Sequence, residues 1–231
     1  MLVLAASVQA QSPVVVELFT SEGCSSCPPA DAALVELSRE KSVDGVPVIL
    51  LGEHVDYWNY IGWTDRFSSK QFSERQSEYA KALHASVYTP QMVIGGREQF
   101  VGNDAAEVRQ RIAAAAKTPK PAQVSLAWAG TGQLHVNVRA PAETKGVVLL
   151  AITEDGLSTQ VGKGENGGKT LHHAAVVRRL VQVGNLSNGS FEKLVQVSPE
   201  QDWKRNELKA VVLVQDPGSK EIVGAGVSDV R

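Results

Sequence analysis

Cys24 and Cys27 are the only cysteines in a chain of 231 residues, and they stand three apart in Cys24-Ser25-Ser26-Cys27. A thiol pair with that spacing, placed where an apolar run gives way to a helical pattern, suits reversible dithiol/disulfide exchange. The pair has other conceivable uses. A structural staple gains little from closing so short a ring. Zinc needs two further ligands, and no second cysteine pair exists. Copper(I), which prefers soft sulfur, would take the two thiols with Met92 or a histidine. The reading adopted is a redox pair that needs neither a metal nor a cofactor.

The elements that must hold the pair are legible on both sides of it. Val14 to Thr20 is a mostly continuous apolar run rich in β-branched side chains, as expected of a strand buried on both faces. Beyond the cysteines, Ala30, Ala33, Leu34 and Leu37 recur at helical spacing, with Asp31, Glu36, Arg39 and Glu40 assigned to the outer face. Pro28 and Pro29 fit its first turn, where backbone donors have no intrahelical partner. A second buried strand over Val46 to Leu51 completes a β-helix-β unit with parallel strands. Thr64 to Leu83 reads as a polar helix. Thr89-Pro90 precedes a short strand and a Gly95-Gly96 turn, which predicts an antiparallel hairpin ending near Val101. Asn103 is the expected cap of a last helix, Asp104 to Lys117.

Thr118-Pro119-Lys120-Pro121-Ala122 divides the chain. Seven strand candidates follow, starting at Gln123, Leu134, Val147, Ala174, Phe191, Leu208 and Ile222, with no helical periodicity among them. That pattern suits an immunoglobulin-like sandwich over residues 123–231. The first unit then covers 13–118, and residues 1–12 read as the remnant of a signal peptide. Val8-Gln9-Ala10 has the small-x-small pattern that signal peptidase accepts, although no Lys or Arg precedes it. A periplasmic or secreted location follows, where a disulfide persists.

Composition narrows the partners. A formal charge of −2 with scattered Lys and Arg leaves no stripe for nucleic acid. No apolar run reaches the ~18 residues of a membrane span. Asn185-Leu186-Ser187 and Asn188-Gly189-Ser190 match the glycosylation triplet and are read as loop chemistry.

The order strand, Cys-x-x-Cys, helix, strand, helix, Thr-Pro, hairpin, helix over Val14 to Lys117 resembles the thioredoxin superfamily. The wording from Phe19 to Asp31, with Asp56-Tyr57-Trp58, Tyr88-Thr89-Pro90-Gln91, Gly164 to His173 and Val176-Val177-Arg178, more narrowly resembles the DUF1223 family of bacterial secreted proteins. The chain departs from thioredoxins proper in placing Gly23 before Cys24 and Ser25-Ser26 between the cysteines, so no redox potential carries over.

The resemblance implies a thioredoxin-like α/β unit in which Cys24 lies open at the helix mouth and attacks, while Cys27 is shielded and resolves. It also implies a cis Pro90 that turns the Thr89 peptide toward the sulfurs, where a client strand would pair. Asp56, Tyr57 and Trp58 follow the second parallel strand, where clefts form in open α/β folds. Asp56 is assigned as a proton acceptor for Cys27 and Trp58 as a wall of the groove. His172 and His173, adjacent on a strand, must face opposite ways. The polar loop Glu165-Asn166-Gly167-Gly168 is read as a turn, and one that reaches back to the dithiol would join the two units. The function expected is a thiol:disulfide oxidoreductase acting on protein dithiols or disulfides, recharged by a partner of its own. A non-catalytic binding module, with the sandwich as its contact surface, is the alternative.

Overall fold

The computed structural model describes residues 12–231. All but Ser12 of the segment read as a signal remnant lies outside that range.

In chain order the elements are β1 (Val14–Thr20), α1 (Pro28–Glu40), β2 (Ser42–Val43), β3 (Val46–His54), α2 (Lys70–Ala82), β4 (Gln91–Ile94), β5 (Glu98–Phe100) and α3 (Ala105–Ala115). The second half adds β6 (Gln123–Trp128), β7 (Gln133–Arg139), β8 (Val147–Glu154), β9 (Leu157–Gln160), β10 (Thr170–His173), β11 (Val176–Asn185), β12 (Ser190–Gln196), β13 (Leu208–Gln215) and β14 (Ile222–Asp229).

β1 and β3 pair in parallel over their full overlap, Val14 opposite Val48 to Thr20 opposite His54. The crossover helix α1 lies on one face with α3, where Leu34, Leu37, Val108 and Ile112 meet Val16, Leu18 and Leu50. α2 covers the other face, with Phe72 against Val15, Ile49 and Leu51. Pro28 and Pro29 occupy the first turn of α1 as expected. The cap of α3 is Asp104 rather than Asn103, because its carboxylate accepts from the amides of Ala106 and Glu107. α2 starts at Lys70, six residues later than the sequence pattern suggested, because Asp65 and Ser69 form turns that cap the chain before the helix begins.

The two halves share one sheet, where two separate units were expected. Its order is β14-β13-β8-β11-β3-β1-β4-β5, so strands of the second half extend the sheet begun by the first. The seam is narrow. β11 meets β3 in parallel at Val176 opposite Gly52, and the Gly52 amide donates to the Ala175 carbonyl at 2.8 Å. A sandwich-like core does form in the second half. The three-stranded sheet β12-β7-β6 packs Leu134, Val136 and Val138 against Val148, Leu150, Ile152 and Val212. Its opposing layer is the extension of the shared sheet, so the Pro-rich link at 118–122 crosses between halves that are joined by backbone pairing. β9 and β10 form a short antiparallel pair, with β10 beside α1.

Gly52 makes the seam possible. A Cβ there would stand 3.0 Å from the Ala174 carbonyl oxygen and 3.4 Å from a Leu34 methyl. We expect Gly52→Val to destabilise the protein by about 1–3 kcal/mol in urea unfolding, through overpacking at the seam. Strand propensity alone favours valine, so unchanged or raised stability would refute the seam's tightness.

Candidate functional site

Cys24 and Cys27 form a disulfide with their Cα atoms 5.4 Å apart, at the turn that enters α1. The turn is tight because its backbone closes on itself: the Cys24 amide donates to the Ser21 carbonyl and the Cys27 amide to the Cys24 carbonyl. The Thr89–Pro90 peptide is cis. Ser26 lies between the two features. Its hydroxyl is 3.4 Å from the Cys24 sulfur and donates to the Thr89 carbonyl at 3.3 Å. The Trp58 indole donates to Thr89 Oγ1 at 2.7 Å, and its Cβ backs Gly23, so Trp58 joins the disulfide turn to the Thr89 loop.

Three expectations about this site need correction. Cys24 is not open to solvent. Both cysteines are 0% exposed, whereas Ser25 and Ser26 between them are exposed. The reason lies in the second half of the chain, whose 162–169 loop sits over the turn. The Asn166 amide donates to both the Glu22 and Cys24 carbonyls at 2.9 Å, and Glu165 accepts from the Ser25 amide at 3.1 Å.

The second correction concerns Asp56. Its carboxylate is engaged with the Ser73 hydroxyl at 2.5 Å, at the start of α2, and it shows no bond to the cysteines. Tyr57 likewise turns to α2, donating to Gln76 at 3.0 Å, and Gln76 donates in turn to the Tyr88 carbonyl. Tyr57 therefore supports the Thr89 loop from behind. Met92 is fully buried among Leu18, Ile94 and Phe100 in the core under the sheet. Among the described residues no three His, Cys, Asp or Glu side chains converge as a metal site.

The acid nearest Cys27 along α1 is Asp31. It lies one turn beyond, its amide donating to the Cys27 carbonyl at 3.1 Å, and residues four apart are neighbours on a helix surface. Asp31 was placed on the outer face of α1, yet it is 6% exposed and one carboxylate oxygen has no hydrogen-bond partner. The signal available in the sequence was its i, i+4 relation to Cys27.

Around Asp31 stand two histidine–carboxylate couples. His54 Nδ1 is 2.6 Å from Asp65, and His173 Nε2 is 3.2 Å from Glu22, with the two imidazoles edge to face at 4.8 Å. Glu22 also accepts from the Trp63 indole at 2.8 Å, and Asp65 accepts from the Glu22 amide. His172, by contrast, is exposed, so the adjacent histidines do face opposite ways.

Burial pushes the Asp31 carboxyl above its ordinary value, against the pull of His173, His54 and Thr20 and with a push from Asp65. Burial opposes charge on His54, but Asp65, with Asp31 and Glu22, outweighs it and raises the imidazole. Burial also opposes charge on Asp65, where His54 and two backbone amides prevail and lower it. These shifts favour the charged forms of His54 and Asp65, while burial favours the protonated form of Asp31.

A second buried group lies on the α2 face. Arg75 donates to Glu17 at 2.7 Å, to Gln215 at 3.0 Å and to the Tyr79 hydroxyl at 3.0 Å. Burial raises Glu53 well above the carboxylate range; Arg75 opposes that and Glu17 adds to it. Glu17 sits inside an apolar strand, so nothing in the residue pattern points to this group.

The comparisons with known proteins bear on this geometry. The family model described as "Protein of unknown function (DUF1223)" matches residues 15–215. The chain belongs to the DUF1223 family. A crystal structure of a protein from Agrobacterium tumefaciens is 33% identical, covers 95% of both chains and superposes with a TM-score of 0.77. The DUF1223 chain therefore shares its overall fold with a solved structure along nearly its full length. A domain of the outer membrane lipoprotein Omp28 from Porphyromonas gingivalis covers 48% of this chain and 89% of that domain at 14% identity, and its TM-score of 0.31 supports no argument. No curated protein matches. Among the described residues of this DUF1223 protein, no helix is long and apolar enough to cross a membrane, and the disulfide is consistent with an oxidising compartment.

A carboxyl whose folded pKa is raised binds its proton more tightly in the native state. It therefore costs stability as pH climbs above the unfolded value toward the folded one. We expect Asp31→Asn to stabilise the oxidised protein at neutral pH, with the gain vanishing below the ordinary aspartate pKa. Urea unfolding at several pH values reads both, and a loss of stability at pH 7 would show Asp31 to be a charged structural partner.

Proposed function

We propose that this protein is an exported, thioredoxin-like thiol:disulfide oxidoreductase acting on protein dithiols or disulfides through Cys24 and Cys27. The observation that carries the reading is the placement of a disulfide at the entry to α1, with Ser26 bridging Cys24 and the Thr89 carbonyl beside Pro90. A client strand reaching that loop has an acceptor available once the exposed Ser26 hydroxyl turns away. Tyr60, 82% exposed two residues after Trp58, and Val87, exposed two residues before Thr89, offer an apolar rim to such a client.

The exchange runs as follows. A client thiolate attacks Cys24 Sγ, forming a client–Cys24 disulfide and breaking the Cys24–Cys27 bond, whose electron pair leaves on Cys27. Asp31, carrying its proton, delivers it to the Cys27 thiolate. A second client thiolate then attacks the client sulfur and displaces Cys24 as thiolate. The client dithiol is oxidised to a disulfide and the protein pair is reduced. In reverse, Asp31 as carboxylate takes the Cys27 proton so that Cys27 resolves the mixed disulfide. A second thiol:disulfide carrier restores the starting state. Asp31 also lines a cavity of about 490 Å³ with Val35, Arg39 and His172, which supplies a solvent route for that proton.

A second reading, a binding module with an inert disulfide, draws on the full burial of both sulfurs. The two separate cleanly. With reduced protein and a scrambled-disulfide client, the oxidoreductase reading expects covalent adducts to accumulate with Cys27→Ala and none with Cys24→Ala. Asp31→Asn should slow resolution about a hundredfold. An adduct-free Cys27→Ala protein across redox buffers would favour the inert disulfide.

A further inference from the structure

The loop between β9 and β10 contains one fully buried side chain, Asn166, among residues that are otherwise exposed from Gly162 to Lys169. A buried carboxamide must place two donors and an acceptor. Asn166 does so entirely at the disulfide turn and its own loop: the amide donates to the Glu22 and Cys24 carbonyls at 2.9 Å each, and Lys169 donates to its oxygen at 2.9 Å. Glu165 accepts from the Ser25 amide, one of the free donors at the entry to α1. Gly162 and Gly164 lie against Trp63, while Ile61 and Trp58 from the same segment cover Gly23.

We propose that this loop is a cap that controls access to the Cys24–Cys27 disulfide, with Asn166 as its latch and Glu165 as a second tie. The inference rests on the oxidoreductase reading for its purpose, though not for its test. Three observations support it. Neither sulfur has exposed surface, although the residues between them do. The cap touches the turn through a few polar bonds, each of modest net strength in water. Its ends are glycines, Gly164 and Gly168, with φ of 77° and 84°, a conformation open to hinge motion at low cost.

The latch is selective in principle. A small reductant waits for spontaneous opening, while a protein client that places an acceptor or a carboxylate on the Ser25 amide replaces Glu165 and opens the cap as it binds. The second half of the chain thereby becomes part of the redox site, and the protein ignores small thiols better than it ignores its clients.

Two hydrogen bonds of ordinary net strength correspond to roughly 5- to 150-fold in the closed-to-open ratio. The test is the rate at which dithiothreitol reduces the oxidised full-length protein, read by quenching with an alkylating agent and weighing the product. Asn166→Ala should accelerate reduction within that range, and Glu165→Gln by about fivefold. Circular dichroism and urea unfolding check that each variant remains folded. If Asn166→Ala does not fold, the exposed Glu165→Gln substitution decides alone. Rates within twofold of the parent in every folded variant would overturn the cap. Turnover on a scrambled client is measured in parallel. Faster dithiothreitol reduction without mixed disulfides in any form leaves the cap standing and removes the oxidoreductase reading. Client turnover with unchanged dithiothreitol rates does the opposite.

Discussion

One backbone contact organises the site: the Gly52 amide on the Ala175 carbonyl, with Val176 beside Gly52 in parallel register. It forces the second half of the chain against the carboxyl end of β3. Ala175, at a φ of 50° and tied through its amide to Asp155, turns the chain from β10 into β11 at that point. His173 is thereby set two residues before the seam and reaches Glu22, while the loop that precedes β10 delivers Asn166 to the disulfide turn. Remove the docking at Gly52 and neither contact has a platform. The narrowness of the seam is compatible with a stable joint because the flanking apolar cores, on both faces of the shared sheet, supply most of the driving force.

The protein accepts an unusual density of buried charge for its size. Burying ions is costly unless partners and hydrogen bonds compensate, and here they form compact groups on opposite faces of the sheet. Glu17, Glu53 and Arg75 tie β1, β3 and α2 together and reach Gln215 in β13. Glu22, Asp31, His54, Asp65 and His173 surround the start of α1. The first group gathers around one guanidinium, across the sheet from the disulfide, and reads as structural even though neither Glu53 oxygen has a hydrogen-bond partner. The second leaves an Asp31 oxygen and His173 Nδ1 without partners, beside the disulfide. Unpaired buried polar atoms next to a reactive group are where a protein gives up stability for chemistry.

Much of this was legible from residue pattern. β1, α1, the hairpin after Pro90 and the seven strands of the second half follow apolar periodicity and turn residues, and the structure places each within a few residues of the expectation. What was not legible depends on contacts far apart in sequence. The β9–β10 pair alternates weakly and is short. The joining of the two halves turns on Gly52 being small where Ala174 approaches, which a single strand sequence does not advertise. The burial of Cys24 depends on Asn166, 142 residues away, inside a loop whose Gly-rich wording says only that it turns. Asp31 was placed outward because aspartate on a helix usually is, and its burial is imposed by the second half packing beside α1.

The proposal that Cys24–Cys27 is a reversible redox couple and not a staple is read most plainly from its midpoint potential. Equilibrating the protein in dithiol/disulfide buffers of defined potential and trapping the free thiols gives the value. A reversible couple titrates as a two-electron transition in the range of about −120 to −270 mV, where exchange catalysts operate. A potential below about −300 mV, typical of structural disulfides in secreted proteins, would contradict it.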